Sequence, residues 1–310
     1  MTAQVHKTVL LESAVASLVW DDAGFYVDGT FGRGGHAQAI LAGLGPKGVL
    51  LAIDKDPEAV ALGRTRFAMD PRFSIVQTSF SSLSELVQER QKAGEVAGVL
   101  LDLGVSSPQL DEAERGFSFT QDGPLDMRMN PEAGQSAAQW LAQADEKEIA
   151  DIIYRYGEER HSRRMARAIV TERVRKPITS TLQLAEIVKQ ANPSWEKHKH
   201  PATRAFQAIR IHINQELDEL QSCLQQALEM LMPKGRLVVI SFHSLEDRIV
   251  KQFIDKHVRG DEFPVGVPVR HDQMNRRLVK MGKPVKAQEE ELKRNPRARS
   301  AIMRVAEKVA

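Results

Sequence analysis

The stretch Asp28–His36, with the sequence DGTFGRGGH, decides the fold of this chain because of what lies on either side of it. It contains four glycines between a short apolar segment, Phe25–Val27, and a segment with helical spacing, His36–Leu44. Glycines between a strand and a helix let the backbone turn tightly and approach a ligand closely. The stretch therefore predicts a strand, a ligand-binding turn and a helix, in that order.

The same alternation of apolar strands and amphipathic helices continues along the chain. The run Val49–Ile53 is apolar throughout, which indicates a strand buried on both faces of a sheet. The predicted strands are Phe25–Val27, Val49–Ile53, Phe73–Val76, Val99–Leu103, Arg236–Phe242 and Arg299–Val305. Strands that alternate with helices predict a parallel α/β sheet with right-handed crossovers.

A region without strand patterns interrupts this alternation from about residue 111 to residue 212. Helical periodicity dominates there, and a long helix, Thr203–Leu231, is predicted to lead back into the sheet. We therefore predict a discontinuous α/β domain, residues 1–110 and 206–310, with an all-helical insert, residues 111–205.

Composition narrows the class of protein. The chain has 310 residues, 42% hydrophobic and 27% charged, which is enough material for a sizeable globular core. No apolar run approaches the length of a membrane span, and the single cysteine, Cys223, excludes an internal disulfide. We expect a cytoplasmic protein with no membrane partner. No metal is predicted, because His198, His200 and His212 lack the carboxylate or cysteine that would complete a zinc spacing.

A second acid supports a ligand site at the turn. Asp54 ends the second predicted strand, 20 residues after Gly34, where a carboxylate can accept both hydroxyl hydrogens of a ribose. Gly32, Gly34 and Ala37 also satisfy the dinucleotide fingerprint, so a NAD(P)-dependent oxidoreductase remains an alternative, as does a turn without a ligand. Asp28 favours S-adenosylmethionine (SAM), because an acid at the start of the turn can bind an ammonium group but repels a pyrophosphate.

The segment after the fourth strand suggests chemistry on an amine. Ser107, Pro108 and Gln109 are similar to the Asp/Asn/Ser-Pro-Pro-aromatic box of amino-group methyltransferases, with Gln109 replacing the second proline. An exocyclic amine is a poor nucleophile because its lone pair is delocalised into the ring. Hydrogen-bond acceptors favour its pyramidal form, and we predict that Asp102, Ser106, Ser107 and Pro108 position it from a loop. A loop that only caps the strand is the alternative.

A family resemblance extends over nearly the whole chain. Beyond the turn and the ends of the strands, it rests on Glu114–Phe119 (ERGFSF), Asp122–Met129 (DGPLDMRM), Phe206–Leu217, Ile240–Arg248 and Asn295–Ser300. On these residues the chain resembles the RsmH (MraW) family of bacterial 16S rRNA cytosine-N4 methyltransferases. The resemblance implies a class I SAM-dependent, Rossmann-like sheet with an inserted helical substrate domain.

The same resemblance implies SAM as cofactor and, as substrate, a cytidine in the decoding region of 16S rRNA within the small ribosomal subunit. The residues that it implies as SAM contacts are Gly34, Gly35, His36, Asp54, Phe80, Asp102 and Gln109. Phe80 follows the third strand, where it can stack on adenine, although a core phenylalanine fits the same position. We expect the box Gly116–Met129 to close over the methyl-transfer pocket, with a structural linker as the alternative.

Basic residues cluster although the net charge is only +2. The segment Arg155–Lys176 contains eight basic residues against three glutamates, and a second cluster lies in residues 276–299. Such clusters can neutralise the phosphates of RNA, whereas a solvated helix face is the plainer interpretation of each. A non-catalytic RNA-binding factor for ribosome assembly is therefore a further alternative, and a homodimer is compatible with the sequence.

Overall fold

The computed structural model describes residues 8–193, 200–261 and 274–309. His198, considered above as a zinc ligand, lies outside them. The helices are α1 (Leu11–Leu18), α2 (Gly35–Gly43), α3 (Pro57–Arg66), α4 (Leu83–Glu89), α5 (Ser107–Asp111), α6 (Ala137–Gln143), α7 (Glu146–Gly157), α8 (Ser162–Arg175), α9 (Thr181–Ala191), α10 (Ala202–Asn214), α11 (Glu216–Met230), α12 (Ser244–Arg259) and α13 (Glu289–Arg294). The strands are β1 (Phe25–Asp28), β2 (Val49–Asp54), β3 (Phe73–Gln77), β4 (Val96–Asp102), β5 (Leu231–Ser241), β6 (Leu278–Lys280), β7 (Val285–Lys286) and β8 (Ile302–Lys308). In the described part of the chain, no helix is both long enough and apolar enough to cross a bilayer.

The chain divides into two compact units. The first comprises the described residues of Met1–Gly104 and Leu217–Ala310, and the second is Val105–Glu216. The first unit contains the sheet and the second contains α5 to α10. The sequence pattern had placed the boundaries at 110 and 206. Val105 and Leu110 instead pack against the hydrophobic core of the second unit, and so does most of α10, which explains the difference.

The sheet has the strand order β3-β2-β1-β4-β5-β8-β6, and β7 also pairs with β8. Strands β1 to β5 are parallel, whereas β8 runs antiparallel to β5, β6 and β7. The chain builds outward from β1 to β3 and then continues on the other side of β1 with β4. Ligands of open α/β sheets bind outside the carboxyl ends of the strands at such a reversal. The topology confirms the predicted Rossmann-like α/β class.

Both faces of the sheet are buried, and successive residues of each central strand belong to different cores. In β2, Leu51 and Ile53 pack on the face covered by α4 and α11, whereas Leu50 and Ala52 pack on the face covered by α1 and α2. Burial on two faces explains why this strand is an uninterrupted apolar run.

The second unit is helical and has its own core, formed mainly by α6 to α10. Tight contacts join α7 to both α8 and α10. The buried side of α8 consists of Met165, Ala166 and Ile169, spaced as one face of a helix requires.

The prediction of one continuous helix, Thr203–Leu231, is wrong, because the helix is interrupted at Gln215. That residue has φ 54°, a left-handed conformation that ends α10, and α11 begins at the next residue. The Asn214 side chain stabilises this break, donating to the carbonyls of Met127 and Arg210 at 2.7 and 2.9 Å. Apolar spacing continues on both sides of the break, so periodicity alone did not reveal it.

The end of the chain also differs from its prediction. The last strand was predicted at Arg299–Val305 but lies at Ile302–Lys308, because Pro296–Ser300 forms a turn of 3₁₀ helix. The basic stretch before it contains β6, β7 and α13, since the short strands find partners in β8.

Candidate active site

Two backbone hydrogen bonds to neighbouring strands hold the glycine turn after β1. The N–H of Gly29 donates to the carbonyl of Leu100 at 2.9 Å, and the N–H of Phe31 donates to the carbonyl of Ile53 at 3.1 Å. Gly34 has φ 72°, and a Cβ there would lie 2.6 Å from Cζ of Phe31. A Cβ on Gly35, the first residue of α2, would lie 1.7 Å from the Thr8 hydroxyl. The turn therefore requires glycine at both positions.

Asp54 joins the end of β2 to this turn. Its Oδ2 accepts the N–H of Gly32 at 2.7 Å, and its Oδ1 accepts the N–H of Asp56 at 2.9 Å. Burial is the main reason that the pKa of Asp54 rises to about 6. The carboxyl group is thus fixed at the carboxyl end of β2, the position predicted for an acceptor of ribose hydroxyls.

Asp28 lies at the end of β1 and is completely buried. Its Oδ1 accepts the N–H of Thr30 at 3.2 Å, whereas its Oδ2 has no hydrogen-bond partner among the residues that the structure describes. Burial, and to a lesser extent the nearby Asp54 carboxylate, raise the pKa of Asp28 to about 7. A buried carboxylate oxygen without a donor is costly, so this atom points to a ligand with a donor or a positive charge.

Asp102 and His36 form a second set of incompletely paired atoms. Oδ2 of Asp102 lies 3.6 Å from Nδ1 of His36, while Asp102 Oδ1 and His36 Nε2 have no hydrogen-bond partner within the described part of the chain. Burial lowers the pKa of His36 to about 4, so the imidazole is neutral and the contact is not an ion pair. The pKa of Asp102 is raised well above its usual value by burial and by the carboxylates of Asp28 and Glu246.

Two residues of this site were not singled out from the sequence. The hydroxyl of Thr30 accepts the backbone N–H of Asp102 at 2.6 Å, which ties the glycine turn to the end of β4. Glu246 is buried and accepts the N–H groups of Phe242 and His243 at 2.8 and 3.2 Å, which shapes the turn after β5. The position of Thr30 inside the glycine turn was the only available signal for it.

These atoms define the chemistry that the site accepts. Asp28 at the end of β1 and Glu246 in α12 lie close enough to Asp102, at the end of β4, to raise its pKa. Their mutual repulsion favours a positively charged ligand over a pyrophosphate. The unpartnered oxygens of Asp28 and Asp102 can accept hydrogen bonds from such a ligand. The site therefore fits SAM, which carries an ammonium and a sulfonium group, better than a nicotinamide dinucleotide.

Phe80 lies beside the turn and is partly buried. It begins a short 3₁₀ segment, Phe80–Ser82, and packs against the sheet core. A Cβ added to Gly29 would lie 3.4 Å from the Cβ of Phe80. The side chain thus has both of the predicted properties, contact with the core and a place next to the turn. Adenine stacking remains a prediction.

The residues predicted to position the amine belong to the second unit, apart from Asp102. Ser107, Pro108 and Gln109 lie in α5, so the predicted loop is wrong from Ser107 onward. Pro108 is accommodated there because the first turn of a helix needs no proline N–H. Ser106 precedes the helix, and its N–H donates to Oε1 of Gln109 at 2.9 Å. Ser107 and Gln109 are both buried, and their contact with substrate or cofactor stays a prediction.

The box Gly116–Met129 is a compact, internally bonded segment of the second unit. Arg115 is buried and donates to the carbonyl of Met129 at 2.9 Å. Asp126 and Arg128 form a two-point ion pair at 2.7 and 2.8 Å. The Oδ1 of Asn214 accepts the N–H of Met129 at 2.7 Å, which fixes the end of the segment. Its predicted role as a cover of the methyl-transfer pocket stays a prediction.

Comparison with known proteins gives the same class. The family model described as MraW methylase family matches residues 3–309. A ribosomal RNA small subunit methyltransferase H from Chromohalobacter salexigens is 58% identical, over 98% of this chain and 92% of the relative. The protein of the same name from Nitrosococcus oceani is 58% identical, over 98% of this chain and 96% of the relative. The solved structure of an rRNA methylase from Streptococcus thermophilus is 12% identical, over 99% of this chain and 100% of the other, with a TM-score of 0.43.

The sheet order and the carboxylates at its switch point define a Rossmann-like methyltransferase with SAM as its cofactor. The chain belongs to the MraW methylase family. The family assignment confirms both the resemblance drawn from the sequence and the predicted cofactor.

Proposed function

We propose that this protein methylates 16S rRNA of the small ribosomal subunit, and that its target is the N4 amine of a cytidine in the decoding region. The observation that carries the proposal is the 58% identity, over 98% of the chain, to proteins named ribosomal RNA small subunit methyltransferase H. The acidic site at the sheet edge supports the same reaction class, because it favours a cationic methyl donor.

The chain supplies groups for holding that donor. Gly34 and Gly35 allow the tight turn at the start of α2. Asp54 offers its carboxyl to the ribose, and Asp28 offers an oxygen without a partner among the described residues to the ammonium group. Bound SAM supplies an electrophilic methyl group. Asp102 lies next to this site. Its Oδ1, which has no partner among the described residues, can accept a hydrogen bond from an N–H group of the substrate.

The proposed substrate explains why an acceptor is needed. The N4 lone pair of cytosine is delocalised into the ring, and an acceptor on an N–H favours the pyramidal, nucleophilic form. In the proposed reaction a bond forms between N4 and the methyl carbon as the sulfur–carbon bond breaks. The extra proton on N4 then leaves to solvent or to a carboxylate. The base must be single-stranded or flipped out of its stack to reach the site.

Mass-spectrometric mapping of 16S rRNA from cells with and without the gene tests the proposal. We expect one N4-methylcytidine in the decoding region to disappear without the gene and to return when the wild-type gene is restored. An unchanged modification pattern would contradict it. A companion experiment supplies tritiated SAM and small subunits from the deletion strain. Transfer of label by the wild-type protein rejects a non-catalytic assembly factor.

A further inference from the structure

The exposed side of α8 carries an unusual concentration of positive charge. The helix has five arginines and one glutamate, and no acidic residue lies in its first turn. Arg163 and Arg167 are four residues apart, and Arg164 and Arg167 are three apart, so like charges are neighbours on the helix surface. All three side chains are exposed, while Met165 and Ile169 make the contacts with the core. Folding of the helix therefore does not require these arginines.

The three arginines surround a hollow. It has a volume of about 360 Å³ and is lined by Arg163, Arg164, Arg167, Ala168 and Ala191. The two alanines give it a small, apolar floor between α8 and the end of α9. A guanidinium group presents several N–H donors in a planar fork, which matches the oxygens of a phosphate.

Among the residues that the structure describes, little negative charge lies near this hollow. Arg167 has one carboxylate near it, Glu146, with Nε and Oε1 3.6 Å apart and both side chains exposed. An exposed ion pair of this kind contributes little to stability, so Arg167 can exchange Glu146 for a phosphate group at small cost. Arg163 and Arg164 have no ion-pair partner among the residues that the structure describes. By contrast, Arg175 on the same helix is paired with Glu172 at 2.9 Å.

We propose that Arg163, Arg164 and Arg167, here called the α8 arginine site, bind the phosphodiester backbone of RNA. The proposal deepens the proposed function, since it assumes that the substrate is RNA. Phosphate contacts fix the position of a nucleic acid on a protein and add affinity without reading its sequence. The α8 arginine site thus contributes to binding of the substrate and has no part in the chemical step.

The test compares two triple variants with equal charge changes. The first is Arg163→Gln, Arg164→Gln and Arg167→Gln, which keeps long side chains of good helix propensity. The matched control is Lys47→Gln, Arg64→Gln and Lys251→Gln, three exposed basic residues of the first unit. Thermal unfolding and calorimetric SAM titration should give wild-type results for both variants. A third variant replaces the same three α8 arginines with lysine, which keeps the positive charge but removes the planar guanidinium group.

Filter binding of small subunits from the deletion strain, across a range of salt concentrations, is the readout. We expect the α8 variant to bind at least tenfold more weakly than wild type. Its plot of log affinity against log salt should be less steep by about 2, because three phosphate contacts to a single strand are lost. The affinity of the lysine variant should lie between those of wild type and the α8 glutamine variant, and the control should bind as wild type does. Equal losses in the α8 and control variants, or no binding by wild type, would overturn the proposal.

The two proposals can fail separately. If wild type binds small subunits through the α8 arginine site but transfers no tritiated methyl group, the proposed function fails and the RNA site stands. If wild type methylates and the α8 variant has the KM and salt dependence of the control, the RNA site fails and the enzyme stands. An α8 variant with raised KM for subunits and unchanged kcat supports both.

Discussion

The hydroxyl of Thr30, in the turn after β1, accepts the backbone N–H of Asp102, at the end of β4, at 2.6 Å. The N–H of Thr30 at the same time donates to Asp28. Thr30 thus links Asp28 and Asp102 through its backbone N–H and its hydroxyl, and each of these acids has one carboxyl oxygen without a partner among the described residues. The geometry of the acidic site depends on the glycine turn as well as on the strand ends.

Thr30→Val removes this acceptor while nearly keeping the shape of the side chain. An unsatisfied backbone N–H costs about 1–3 kcal/mol of folding stability. We also expect SAM affinity to fall, because the end of β4 is then no longer tied to the glycine turn. Thr30→Ser keeps the hydroxyl and should bind SAM almost as wild type does. Calorimetric titration of the three proteins measures the effect. Equal affinities for valine and threonine would show that the bond does not shape the site.

Gly34→Ala should weaken SAM binding at least tenfold and destabilise the fold. Alanine would have to adopt φ 72° and place its Cβ 2.6 Å from the Phe31 ring. Gly94→Ala is a matched control, since Gly94 has φ 75° but none of the described residues places an atom within 4 Å of a Cβ built there. We expect the control to lose about 1–2 kcal/mol of stability and no affinity. Denaturant unfolding and calorimetry check both, and identical behaviour of the two variants would contradict the close packing of the turn.

SAM affinity should fall with decreasing pH between 7.0 and 5.5. Asp28 and Asp54 have raised pKa values of about 7 and about 6, so both take up protons in the free protein over this range. A bound cation favours the ionised carboxylates, so binding must release protons and weakens at lower pH. The pKa of His36 is about 4, which keeps it neutral throughout. The amino group of the ligand stays protonated in this range.

Calorimetry in two buffers with different ionisation enthalpies measures the released protons directly. We expect an affinity loss of at least about tenfold from pH 7.0 to 5.5, and a smaller loss in Asp28→Asn. Affinity that does not change with pH in wild type would exclude the proposed contact between Asp28 and a cation.

Asp102→Asn should lower turnover far more than it lowers SAM affinity. The amide keeps the size of the side chain but replaces one acceptor oxygen with a donor. Loss of one positioned group at a reacting centre typically costs about 10²–10³ in kcat. Single-turnover transfer of tritiated methyl at saturating SAM checks this, with Asp111→Asn, a surface acid of α5, as the control. Turnover near that of wild type would remove Asp102 from the mechanism.

The sequence predicted the parts of the structure that depend on local pattern. The uninterrupted apolar run of β2 and the glycines before α2 gave the sheet and the turn, and Asp54 was placed correctly at a strand end. Three-dimensional contacts decided the rest. The break at Gln215 is fixed by Asn214 bonding to distant backbone, and the role of Thr30 depends on β4 lying beside β1. Neither relationship has a signature in residue spacing.

The crystal structure of the protein with S-adenosylhomocysteine tests the central claim most directly. We predict ribose hydroxyls within hydrogen-bond distance of the Asp54 carboxylate and the amino group beside Asp28, with the glycine turn wrapped around the ligand. A ligand bound away from the ends of β1, β2 and β4, or a turn closed by its own side chains, would contradict the account.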